Sequence, residues 1–157
     1  MIETKIIDNW LNKDLVVYLN NYFLYSFPHY YGHKSNEDET ENCFYNSNLN
    51  SSDALNNYLF FKLKKTLNLN LKLKRMYINI QHENMNGSFH KDDGDLTCLY
   101  MVTKSLKDCG YLEIKDEQKI DFIQNRLVAF DAPKKHMGHA PDKGNVRITL
   151  AFKTHVL

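Results

Sequence analysis

Cysteine is scarce in this sequence. Cys43, Cys98 and Cys109 are odd in number, far apart and form no CxxC pair. That excludes a disulfide framework and the ligand spacing of a structural zinc knuckle, and makes a reducing cytoplasm the expected setting. An excess of charge is missing too: 20 Lys and Arg stand against 19 Asp and Glu, for a net charge of +1. Such a balance gives no electrostatic case for nucleic acid, a membrane surface or an acidic partner. No apolar run approaches the roughly 18 residues that a membrane-spanning helix needs. Met1-Ile2-Glu3-Thr4-Lys5 lacks the uninterrupted apolar core of a signal peptide, so a soluble protein is expected. Internal repeats and domain linkers are absent. What is present is core material, 43% hydrophobic and 13% aromatic residues, in 157 residues that suit one self-folding domain.

Periodicity changes near residue 70. Residues 6–10 read as a short strand or the entry to a helix. From Asn12, an N-cap type, Leu15, Val16, Leu19, Tyr22 and Phe23 recur at helical spacing until Pro28 ends the run. Residues 27–33 form an aromatic and His-rich loop, and 35–52 a polar excursion with the acidic run Glu37-Asp38-Glu39-Thr40-Glu41. Ser52 or Asp53 then caps a second helix carrying Leu55, Tyr58, Leu59, Leu63 and Leu67, with Lys62, Lys64 and Lys65 on its wet side.

After Asn70 the period becomes two, with Met76, Ile78 and Ile80 on one face and Tyr77, Asn79 and Gln81 on the other. Further strands are expected at 97–103, 110–114, 119–123, 126–131 and 146–153. In the last, Ile148, Leu150 and Phe152 oppose Arg147, Thr149 and Ala151. Helices first and strands afterwards predict a mainly β fold, an antiparallel double sheet buttressed by two helices. The single domain, 1–157, divides into helical support over 1–70 and a β core over 71–157.

The chemistry-bearing residues lie in the second half. In Gly87-Ser88-Phe89-His90-Lys91-Asp92-Asp93 an extended chain points His90 and Asp92 the same way. A second histidine from far along the chain would complete the two-His, one-carboxylate facial triad of non-haem Fe(II) oxygenases. His136 and His139 are both candidates, His136 standing 46 residues after His90. Eleven residues after His136 comes Arg147, and Thr149 shares its strand face, so a guanidinium fork and a hydroxyl point together as a carboxylate grip.

With RMYIN, FHKDDGDLTCLY, CGYLEI, RLVAFD, HMG-x-x-P and RITLAFK in this order over residues 75–153, the chain resembles the Fe(II)/2-oxoglutarate-dependent dioxygenases. The resemblance is closest to the prolyl 4-hydroxylase-like branch and its small microbial and viral members. It implies a double-stranded β-helix, a jelly-roll (cupin-like) relative. His90, Asp92 and His136 would hold Fe(II), and Arg147 and Thr149 the distal carboxylate of 2-oxoglutarate. His139 stands only eight residues before Arg147, shorter than the family's spacing, which favours His136. Tyr77, Asn79, Gln81 and Tyr100 are further candidates for co-substrate contact. Gln81 stands where many relatives carry a tyrosine, and Cys109-Gly110 where a Gly-Gly pair is common.

The implied reaction couples oxidative decarboxylation of 2-oxoglutarate by O2 to hydroxylation of an unactivated C–H bond, with ascorbate as a possible reductant. A protein or peptide side chain, proline first, is the implied substrate, with Tyr30, Tyr31 and Glu37 to Glu41 as a lid. A small-molecule or nucleobase oxygenase, or a non-catalytic jelly-roll binding module, is the alternative. Oligomeric state has no signal in the sequence.

Overall fold

The computed structural model describes residues 2–36, 43–104 and 108–157. Two antiparallel sheets face each other, and two helices cover the outer face of the larger one. The elements run β1 (Lys5–Ile7), α1 (Lys13–Asn21), β2 (Tyr30–His33), β3 (Phe44–Asn48), α2 (Ala54–Leu67), β4 (Leu71–Gln81), β5 (Leu96–Met101), β6 (Tyr111–Ile114), β7 (Gln118–Asp121), β8 (Leu127–Asp131), β9 (His136–Gly138) and β10 (Arg147–Val156). The seven-stranded sheet has the order β1-β8-β5-β10-β4-β3-β2, and the three-stranded sheet β7-β6-β9. This is the predicted mainly β double sheet with two buttressing helices. Among the described residues no helix is long and apolar enough to cross a membrane.

Both helices start and stop for local reasons. Asn12 caps α1 by accepting from the Leu15 amide, and beyond Asn21 the helix widens into a five-residue π turn, Tyr22–Ser26, closed by Phe27 N–H to the Tyr22 carbonyl. Asp53 is the N-cap of α2 by backbone conformation, but its side chain makes no capping bond. The other end is closed by Asn68 in the left-handed conformation, its amide bonded to the Lys64 and Lys65 carbonyls.

Two expectations for the first 70 residues are corrected. The polar excursion at 35–52 contains β3, which pairs with β4 in the large sheet, and the aromatic loop at 27–33 contains β2, which forms that sheet's edge. Of the two readings for residues 6–10 the short strand holds, as β1, which ends at Ile7 and pairs with β8. The helical support therefore also supplies three strands. β2 is an edge strand, paired on one side only, and β3 beside it has only five residues without clean apolar alternation, so these short polar segments carried no strand signal.

β10 is the central strand, flanked by β4 and β5. Its even-numbered apolar residues, Ile148, Leu150 and Phe152, join Met76, Ile78 and Ile80 of β4 in the core under the helices, with Trp10, Leu19, Phe23, Leu59 and Leu63. The opposite face of the large sheet meets the small sheet in a second core that includes Tyr77, Leu99, Leu112, Ile114, Phe130 and Ala151. Phe152 is fully buried, with its ring 6.4 Å from that of Trp10. Phe152→Ala is expected to lower stability by about 3–5 kcal/mol, read as a reduced denaturant midpoint. Metal binding should persist, because Phe152 faces away from the space between the sheets.

Candidate active site

The site is built where residues 87–92 run antiparallel to 132–138. Gly87 N–H donates to the Gly138 carbonyl (3.0 Å), and Asp92 N–H to that of Ala132 (3.0 Å). Between them His90 and His136 exchange two backbone bonds, of 3.1 and 2.9 Å. β9, which carries His136, is also paired with β6. Two histidines distant in sequence are thus held opposite each other by main-chain geometry, with ring centroids 4.4 Å apart.

Their ring nitrogens are sorted by second contacts. Nδ1 of His90 lies 2.9 Å from the Ser88 carbonyl, and Nδ1 of His136 lies 2.9 Å from that of Lys134. A carbonyl only accepts, so each Nδ1 carries the proton and each Nε2 turns inward. Nε2 of His90 is 3.7 Å from Oδ1 of Asp92, and Nε2 of His136 is 3.1 Å from Oδ2. One ligand atom from each of the three residues lies within 4.8 Å of the others. With Nδ1 already protonated, Nε2 of His136 can approach a carboxylate so closely only as the imidazolium N–H or as a lone pair sharing a cation with it. A divalent metal ion replaces that proton, so this donor set fits one.

The electrostatics keep the donors competent. Burial alone would raise the Asp92 carboxyl, but the His136 contact and the Lys153 ammonium outweigh it and hold it well below the usual carboxylate range. Burial, and then proximity to His136, lower His90 from its ordinary value, which favours the neutral ring that a metal requires. The His136 side chain is 4% exposed and that of His90 22%, so the site opens on the His90 side.

A cavity runs from His90 and His136 to Arg147, walled by Tyr77, Asn79, Thr149 and Lys153. Arg147 is 2% exposed. Its Nη1 donates to the His139 carbonyl (2.6 Å) and to Gln81 Oε1 (3.1 Å), while its Nε is buried with no acceptor. Burial pulls the guanidinium down to about 10, so it stays a cation at neutral pH. A fixed cation with an orphaned donor at the closed end of a cavity fits a carboxylate.

Gly138 makes room for this arrangement, since a Cβ there would lie 3.0 Å from Nη1 and 3.3 Å from Gln81 Oε1. Gly138→Ala is expected to weaken binding of 2-oxoglutarate by about tenfold while leaving Co(II) affinity unchanged, both read by calorimetric titration.

Most of the residues singled out in the sequence meet here. Tyr77, Asn79, Gln81, Thr149 and Arg147 all line the cavity with His90 and His136, but their parts differ. Gln81 orients Arg147 and anchors itself to the Met85 and Gly138 carbonyls (2.7 and 3.2 Å). Asn79 accepts from Asn46 (2.6 Å). Tyr77 packs in the inner core.

Tyr100 is a correction. Alternation along β5 sends it to the helix side, where its ring lies 5.1 Å from Trp10 and its hydroxyl 3.3 Å from Asn125 Oδ1. His139 is excluded as a ligand: it bonds Glu113 (2.7 Å) and stacks on Tyr111 at 3.9 Å. Tyr30 and Tyr31 are exposed on β2, whose end residue His33 reaches a depression of about 350 Å³ beside His90, Asp92, Arg75 and Lys91. Glu37 to Glu41 lie outside the described residues.

Two contacts on Asp92 escaped sequence reasoning. Thr97 Oγ1 donates to its Oδ2 (2.7 Å), and so does the ammonium of Lys153, whose side chain is 1% exposed. The signal for Lys153 was available, because it continues the face of Arg147, Thr149 and Ala151 at a spacing of two.

No family model and no curated protein sequence matches the chain. Solved structures do. Viral collagen prolyl hydroxylase from Paramecium bursaria Chlorella virus-1, in complex with 2-oxoglutarate, superposes with a TM-score of 0.71 at 14% identity, covering 96% of this chain and 94% of its own. The fold is that of the 2-oxoglutarate and iron(II) oxygenases. A Trichoplax adhaerens prolyl hydroxylase, bound to a hypoxia inducible factor peptide fragment, gives 0.71 at 15% identity over 95% of this chain and 82% of its own. A Pseudomonas putida prolyl-4-hydroxylase gives 0.69 at 14% identity over 96% and 91%. The β core is accordingly a jelly roll, as the sequence resemblance implied.

Proposed function

We propose that this chain is an Fe(II)- and 2-oxoglutarate-dependent dioxygenase that hydroxylates an unactivated C–H bond on a protein or peptide side chain. The observation that carries this reading is the union, in one cavity, of two inward imidazole nitrogens, one carboxylate and a buried arginine. His90, Asp92 and His136 would hold iron(II). Arg147 would pair with the distal carboxylate of 2-oxoglutarate, and the Thr149 hydroxyl would add a hydrogen bond. Iron(II) held there would supply the O2 chemistry that couples decarboxylation of 2-oxoglutarate to hydroxylation of the C–H bond.

The protein's own residues contribute position and dryness. The carbonyls of Ser88 and Lys134 hold both imidazoles in the ligating tautomer, and the inner core around Leu99, Leu112 and Phe130 excludes water from the closed side. A peptide substrate is favoured by the likeness to prolyl hydroxylases, one of them bound to a peptide, and by the exposed tyrosines of β2, the strand whose end residue His33 lines the depression beside His90. Three free cysteines suit a cytoplasmic setting. A small-molecule or nucleobase substrate is favoured instead by the polar wall of that mouth, where the Asn46–Asn79 pair stands near Arg75 and Lys91.

The deciding experiment measures succinate formed from 2-oxoglutarate with Fe(II) and ascorbate, under air and under nitrogen, followed by a search of cell-extract peptides for +16 Da products. Turnover requiring both iron and O2 is expected. A chain that binds neither Fe(II) nor 2-oxoglutarate would be a binding module, and turnover of a metabolite without any modified peptide would move the substrate to the small-molecule class.

A further inference from the structure

We infer that Lys153 is a positioning residue for the metal carboxylate and an internal counter-cation that tunes the site toward anionic co-ligands; this rests on the metal-binding reading above. Lys153 lies six residues beyond Arg147 on β10, on the same face, and lines the same cavity. Its ammonium is buried against Asp92 Oδ2, 3.4 Å from Thr97 Oγ1 and 5.7 Å from the Tyr77 ring centroid.

Two consequences follow from this geometry. The first concerns the ligand atom. Oδ2 already receives the Lys153 ammonium and the Thr97 hydroxyl, whereas Oδ1 receives no donor from either. The donors on Oδ2 fix the orientation of the carboxylate between the two imidazoles.

The second concerns charge. With two neutral imidazoles, Asp92 as the one anion and Arg147 and Lys153 as two cations, the ligands and cavity carry one surplus positive charge. That surplus opposes the metal ion and favours any anion placed beside it, such as a carboxylate coordinated next to Asp92. In a low-dielectric cavity the two effects are substantial and opposite in sign.

The opposition provides the test. Lys153→Met removes charge and donor, while Lys153→Gln keeps an N–H donor for Oδ2 and removes only the charge, which preserves the support for Asp92 and the fold. Calorimetric titration with Co(II) alone, then with 2-oxoglutarate on the Co(II)-loaded chain, is expected to show tighter metal binding and weaker 2-oxoglutarate binding, each by at least about tenfold, in both variants. A merely structural lysine would weaken both together or change neither, and either result overturns the proposal. If the unaltered chain takes up neither Co(II) nor 2-oxoglutarate, it is the metal-binding reading that fails.

Discussion

Asp92→Ala is expected to abolish metal binding and 2-oxoglutarate turnover and, separately, to destabilise the fold by about 3–5 kcal/mol. The two losses have different origins. Metal binding fails because the only anionic member of the donor set is gone, leaving two neutral imidazoles. Stability falls because the Lys153 side chain, 1% exposed, loses its carboxylate partner inside the cavity. Sequence alone suggests a variant that keeps an intact fold; the buried partner alters that expectation. The double variant Asp92→Ala/Lys153→Met should recover most of the stability, since a methionine of similar length buries without charge, and should still bind no metal. Denaturant melts and Co(II) titration separate the two effects. Undiminished Co(II) affinity in the single variant would remove Asp92 from the ligand set.

Arg147→Ala should raise the dissociation constant for 2-oxoglutarate on the order of 10²- to 10³-fold, the cost of truncating a buried, hydrogen-bonded charge. Co(II) affinity should not fall, because Arg147 makes no contact with the triad and bonds instead to Gln81 and the His139 carbonyl. Arg147→Lys keeps the charge but loses the planar fork and its orphaned Nε donor, so an intermediate loss is expected. Calorimetry on the Co(II)-loaded chain reads all three. An unchanged 2-oxoglutarate affinity in Arg147→Ala would separate this guanidinium from the co-substrate and leave Lys153 as the cavity's remaining cation.

Legibility in the sequence followed the strength of local patterning. The β10 face carrying Arg147 and Thr149, the apolar face of Ile148, Leu150 and Phe152, and the matching division of β4 are present in the structure as the period of two predicts. The same alternation on β5 puts Tyr100 in phase with Cys98 against the helices, away from the cavity. β2 was opaque because a polar strand at a sheet edge needs no apolar alternation, and β3 because its five residues show none. β9 was opaque because three residues are too few to establish any period.

By itself the sequence determined side-chain phase, helix starts and the order of His90, Asp92, His136 and Arg147. These depend on backbone directions set within a few residues. Tertiary structure decided what meets what. The sequence resemblance favoured His136 over His139, and the paired backbone of residues 87–92 and 132–138 gives the physical reason, turning one ring toward Asp92 while Glu113 and Tyr111 hold the other away. The pairing of Lys153 with Asp92 joins residues 61 apart in the chain. Such contacts arise from the closure of two sheets over a shared interior, and a local pattern carries no record of how far away its neighbours in space begin.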